Sequence, residues 1–94
     1  MPKAMWNDLV VAESDDIVLV EGNRYFPRSA LREDLIRESD TRTVCPWKGT
    51  ACYHSLEHDG RISTDAVWYY PTPAPEAELV HDRIAFSDDV QIID

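Results

Sequence analysis

Thr50-Ala51-Cys52-Tyr53-His54-Ser55-Leu56-Glu57-His58-Asp59-Gly60-Arg61-Ile62-Ser63-Thr64-Asp65-Ala66-Val67-Trp68-Tyr69 is the stretch that decides the fold. Asp59-Gly60 is a favoured pair for a two-residue type I′ turn, and residues 50–58 and 61–69 flank it as two strands. Pairing about that turn sets residue 58 against 61, 56 against 63, 54 against 65 and 52 against 67. One face then carries Ala51, Tyr53, Ala66 and Trp68. The other carries Cys52, Leu56, Val67 and a facing pair of His54 and Asp65. A one-residue slip would exchange the faces, so the assignment depends on the turn.

Outward from this hairpin the chain is mostly short strands. On the N-terminal side, Trp6 to Glu13 holds the run Leu9-Val10-Val11-Ala12 behind an Asn7-Asp8 turn signal. Asp16 to Glu21 holds Ile17-Val18-Leu19-Val20, and Gly22-Asn23 suits a tight turn that returns the chain through Arg24-Tyr25-Phe26. From Pro27 to Glu38 the period changes. Leu31 and Leu35 stand four apart, Ser29 suits an N-cap, and the charged residues fall on the other side, which predicts one amphipathic helix. On the C-terminal side, Pro71-Thr72-Pro73-Ala74-Pro75 is a rigid extended spacer that cannot pair centrally in a sheet. A helical turn at 76–80 and strands at 83–86 and 90–93, joined by Asp88-Asp89, complete the reading. The expectation is one domain over residues 1–94, mostly β: a small antiparallel sheet of six to eight short strands with one helix.

The 94 residues suffice for one modest core. Three tryptophans, four tyrosines and two phenylalanines supply much of it, since each large aromatic buries roughly 150–250 Å². Nine basic against eighteen acidic residues give a net charge of −9. Such a surface repels phosphate backbones and anionic lipid heads, so neither nucleic acid nor a membrane is an expected partner, although a locally basic pocket can still hold an anion. No window approaches the roughly 18 apolar residues of a membrane span. With no secretory leader legible, Cys45 and Cys52 read as free thiols, and a cytoplasmic location is expected.

Three runs carry a family resemblance: Tyr25-Phe26-Pro27, Thr43-Val44-Cys45-Pro46-Trp47-Lys48-Gly49-Thr50-Ala51, and Asp65-Ala66-Val67-Trp68-Tyr69-Tyr70-Pro71. Together, in this order and spacing, they resemble the hallmark blocks of the bacterial domain-of-unknown-function 427 family, and the likeness runs from Trp6 to the last strand. Cys52 and His54 depart from it, where Ser and an aromatic residue are expected. The resemblance implies a small mostly-β fold similar to the β-tent group that includes methionine sulfoxide reductase B. It also implies the label nucleotidyltransferase-like. Transferases of the polymerase type hold two metal ions on an Asp-x-Asp pair, and neither Asp15-Asp16 nor Asp88-Asp89 has that spacing.

The residues themselves propose few sites. In Cys45-Pro46-Trp47-Lys48-Gly49, Pro46 and Gly49 enforce a tight loop, and a thiol three residues from an ammonium can act as a nucleophile or redox centre. Equally, Cys45 is a small buried hydrophobe and Trp47 is core. A Cys–His pair would need His54, His58 or His81 to reach Cys45. Spacings of seven, two and four among Cys45, Cys52, His54 and His58 make no zinc knuckle, so no metal and no cofactor is expected. Three functions are carried forward. The first is a binding module for a small planar or anionic molecule, its aromatic pocket lined by Lys48, Tyr53, Asp65, Trp68 and Tyr70 and closed by the 45–49 loop. The second is an enzyme, either cysteine-dependent, with Cys45 as nucleophile or redox centre and Lys48 as its activator, or nucleotidyltransferase-like as the resemblance implies. The third is a homodimer paired through an exposed strand edge.

Overall fold

The computed structural model describes residues 1–94 and contains nine β-strands. They are β1 (Lys3–Trp6), β2 (Leu9–Glu13), β3 (Val18–Val20), β4 (Asn23–Pro27), β5 (Ile36–Cys45), β6 (Gly49–His58), β7 (Arg61–Tyr69), β8 (Arg83–Phe86) and β9 (Gln91–Ile93). A three-stranded sheet runs β2-β1-β9 and a six-stranded sheet runs β3-β4-β8-β7-β6-β5. Every pairing is antiparallel. The protein is thus mostly β, with three short 3₁₀ segments at Arg28–Ala30, Glu33–Leu35 and Pro75–Val80.

Tight turns are built where the sequence supplies residues that tolerate positive φ. Asn7-Asp8 (φ 52° and 65°) joins β1 to β2, and Asp59-Gly60 (φ 53° and 81°) joins β6 to β7. The β3–β4 turn is Glu21-Gly22 (φ 54° and 82°), one residue earlier than the expected Gly22-Asn23, and Asn23 opens β4 opposite Val20.

The amphipathic helix over 27–38 does not form. Its residues make the first two 3₁₀ segments, separated by extended backbone at Leu31 and Arg32. The reason is a competing partner for the main chain. Leu31 bridges Ala12, and the Arg32 N–H donates to the Val11 carbonyl at 2.9 Å, so the connector stitches itself to the outer edge of β2. Ser29 caps nothing. Leu31 and Leu35 are still buried, so the apolar spacing marked burial correctly and the element wrongly. The ten-residue β5 that follows lies at the edge of the large sheet, and most of it is exposed.

The central hairpin keeps its expected register only near the turn. His58 faces Arg61 and Leu56 faces Ser63, but beyond a bulge His54 faces Val67 and Cys52 faces Tyr69. Two extra residues in β7 produce this shift. Asp65 sits in the bulge at φ 55°, its N–H donating to Ser55 Oγ at 3.0 Å. The expected His54–Asp65 pair is therefore absent. Because the shift is two residues, His54 and Val67 stay on one face, while Ala66 turns to join the cluster opposite Tyr53 and Trp68.

Two apolar clusters result, one on each side of the large sheet. The first lies between the sheets and includes Ala4, Trp6, Val11, Phe26, Leu35, Leu56, Ile84 and Phe86. The second, beneath the Pro75–Val80 segment, holds Val20, Tyr25, Ala51, Tyr70, Ala77, Val80 and Ala85. On β8, alternation sends Ile84 and Phe86 into the first and Ala85 into the second.

Candidate functional site

The Cys45–Gly49 loop turns over the second cluster, and Lys48 folds inward from it. Lys48 is only 4% exposed. It donates to Glu21 in the β3–β4 turn and lies 4.7 Å from the Trp47 ring centroid and 5.6 Å from that of Tyr70. Trp47 Nε1–H also donates to Glu21, at 3.3 Å. These contacts set the titrations. Burial opposes the Lys48 charge, but the Glu21 hydrogen bond overrides it and holds the ammonium above its usual value. Glu21 in turn lies below the usual carboxylate range because Lys48 and then Trp47 donate to it. Burial pushes the Tyr70 phenol up to about 12, against the pull of Lys48.

Cys45 packs at the margin of this cluster. Burial would raise its thiol, but the backbone N–H groups of Trp47 and Lys48 and the Lys48 charge outweigh that, leaving it below the ordinary thiol value. No imidazole reaches it. His54 lies on the opposite face of the sheet, stacked on Tyr69, and His58 ends β6 beside the hairpin turn. His81 follows the Pro75–Val80 segment, at the mouth of a separate cleft. The Cys–His arrangement is not assembled.

Of the five residues expected to line a pocket, four are brought together. Lys48, Tyr53, Trp68 and Tyr70 all contact or belong to the second cluster, with Tyr53 facing Trp68 across the hairpin. Trp68 Nε1–H donates to the Tyr25 hydroxyl at 3.3 Å, and Tyr53 shares a hydrogen bond with Thr43 at 2.9 Å. Asp65 is elsewhere: its carboxylate accepts from Ser39 at 2.5 Å and touches neither the loop nor Lys48. Tyr53 and Trp68 pack against the cluster that contains Tyr70, and Lys48 lies over the Tyr70 ring. They form a packed cluster where an open aromatic pocket was expected, because alternation places Tyr53 of β6 and Trp68 of β7 on the face that the 3₁₀ segment covers.

The open space lies next door. A cleft of about 210 Å³ is lined by Arg28, Tyr69, Tyr70, Pro71, His81, Asp82 and Arg83. Pairing of Pro27 with Arg83, and a 3.0 Å bond from the Arg28 N–H to the Asp82 carbonyl, bring both arginines into its lining. Arg28 holds Glu33 with two bonds, 2.5 and 3.3 Å. Arg83 donates to the Asp16 carboxylate at 2.9 Å and to the carbonyls of Asp16 and Tyr25. A guanidinium has five donors, so each retains free N–H groups in a fixed orientation. Of the five expected residues, Tyr70 alone borders this cleft. Arg28 was not legible in the sequence as a neighbour of His81 and Arg83, since only the β4–β8 pairing brings it to them.

No group of three or more His, Cys, Asp or Glu side chains is arranged to hold a metal ion. No helix is long and apolar enough to cross a membrane. No curated protein matches the sequence. The model of the domain of unknown function DUF427 matches residues 3–94, and the chain belongs to that family.

Proposed function

We propose that the domain is a binding module for a small organic anion held in the Arg28–Arg83 cleft. The observation that carries this reading is the pair of oriented guanidinium groups beside two tyrosines, in a chain whose net charge is −9. Both acids that tether the arginines stand at the outer side, Asp16 and Glu33 each with two-thirds of the side chain exposed. They orient the cations and leave donors for a ligand carboxylate or phosphate. The cleft volume falls below the roughly 300–1,000 Å³ of sites for drug-sized molecules, so the ligand is small. Tyr69 and Tyr70 favour a planar body. Lys48 supports the site from behind by fixing Tyr70.

Thermal shift with acetate, inorganic phosphate and benzoate tests this reading, on the wild type and on Arg28→Met. A ligand at 100 times its dissociation constant adds about 2.7 kcal/mol, several degrees for a domain of this size. Benzoate should raise the wild-type midpoint and leave that of Arg28→Met unmoved. If no anion moves the wild type, or if both proteins shift alike, the cleft is not the binding site.

A further inference from the structure

His54 is 94% shielded from solvent, and its Nδ1 is the single buried side-chain nitrogen or oxygen of the molecule without a hydrogen-bond partner. Native proteins leave few such groups, because a buried polar atom without a partner costs free energy. The surroundings offer Nδ1 nothing. The imidazole lies flat on the Tyr69 ring, centroids 4.9 Å apart and planes 20° from parallel. Arg28, Glu33 and Glu38 stand around it. Burial holds the imidazole below its usual value, so it is neutral at pH 7.

Tyr69 is what separates this nitrogen from the cleft. The same ring that covers the imidazole forms part of the cleft wall, next to Arg28. It is the last residue of β7, half-buried, and none of the side-chain hydrogen bonds fixes its hydroxyl. Rotation about its Cα–Cβ bond would lift the ring from His54 on the cleft side.

Resting on the cleft reading above, we propose that His54 is a ligand-binding residue that selects, among small aromatic carboxylates, those carrying a hydroxyl at the far end of the ring. The carboxylate meets the guanidinium groups of Arg28 and Arg83. The ring takes the place that Tyr69 vacates, and the distal hydroxyl hydrogen-bonds Nδ1. One hydrogen bond to a group otherwise left without a partner corresponds to a selectivity of about ten-fold.

The test compares benzoate with 4-hydroxybenzoate by calorimetry and by the ¹⁵N resonances of the His54 ring. In the wild type, 4-hydroxybenzoate should bind about ten-fold tighter, and it alone should move the Nδ1 resonance. In His54→Phe the two acids should bind equally. The ¹⁵N measurement needs no variant, so it stands even if His54→Phe misfolds. Two acids that bind the wild type equally, or an Nδ1 resonance that stays still while both bind, overturn the role of His54 and leave the cleft intact. If neither acid binds, the cleft reading itself falls, and the selectivity with it.

Discussion

At the scale of single residues, the Lys48–Glu21 pair is the clearest case of environment setting chemistry. A lysine this buried stays charged because a carboxylate and two aromatic faces replace its water. The partners differ in exposure: the Glu21 side chain is 53% exposed and that of Lys48 is 5%. Stability should therefore depend on pH through Glu21. Its folded value lies below the unfolded one near 4.5, so the contribution is complete above pH 4.5 and is lost as pH falls through the lowered value. Urea unfolding from pH 6 to pH 3 should show wild-type stability falling more steeply than that of Glu21→Gln. Glu33 and Asp34, also held low by their arginines, keep a residual slope in both proteins. Parallel curves would mean that the pair contributes nothing. Sequence alone placed Lys48 beside the aromatics and Cys45, because all lie in one loop or one hairpin. It could not place Glu21, which a β3–β4 turn 27 residues away delivers.

Elements whose partners are close in sequence were legible, and those decided by distant partners were not. The Asp59-Gly60 hairpin, strand 83–86 and the turn at 76–80 follow from local turn chemistry and apolar alternation. The 27–38 connector has helical spacing, but β2 supplied an edge to which its backbone bonds instead. Strand β5 shows no alternation, because an edge strand facing solvent need not be apolar. It is also blunted: Arg42 caps the carbonyls of Ser39 and Thr41 within its bulge, which works against pairing with a second chain there. The 45–49 loop shows how an element reaches across the fold. Its Lys48 carbonyl accepts from the Ala74 N–H at 2.9 Å, so it pins the proline-rich spacer. Gly49 makes this approach possible at φ 114°, where a Cβ would stand 3.4 Å from the Thr72 carbonyl oxygen. Gly49→Ala should cost roughly 1–3 kcal/mol, as residues forced into sparsely populated backbone regions do. Gly22→Ala, at φ 82° with open space around it, should cost less. Urea midpoints of the two variants decide this, and equal losses would remove the loop–spacer contact from the account.

At the scale of the whole molecule, the two apolar clusters are the two faces of one sheet, and this bears on how the domain unfolds. The two clusters share strands β4 and β8. Tyr25 and Phe26 on β4, and Ile84, Ala85 and Phe86 on β8, send successive side chains to opposite clusters. Opening either face therefore loosens strands that the other face needs, and unfolding should be a single transition. Leu35→Ala in the first cluster should cost roughly 2–5 kcal/mol. Val80→Ala in the second removes part of the roughly 1.5–3 kcal/mol that burying a valine contributes. These are large against a typical total of about 5–15 kcal/mol. The native tryptophans report on both sides, Trp6 from the first cluster and Trp68 from the margin of the second, while far-ultraviolet dichroism reports on the strands. In both variants the fluorescence and dichroism curves should coincide, with a lower midpoint and an unchanged denaturant slope. A second, earlier transition in Val80→Ala would show that the Pro75–Val80 cover and its cluster open independently. In that case the cleft, whose wall includes Tyr70 of that cluster, would be a site that the domain opens without unfolding.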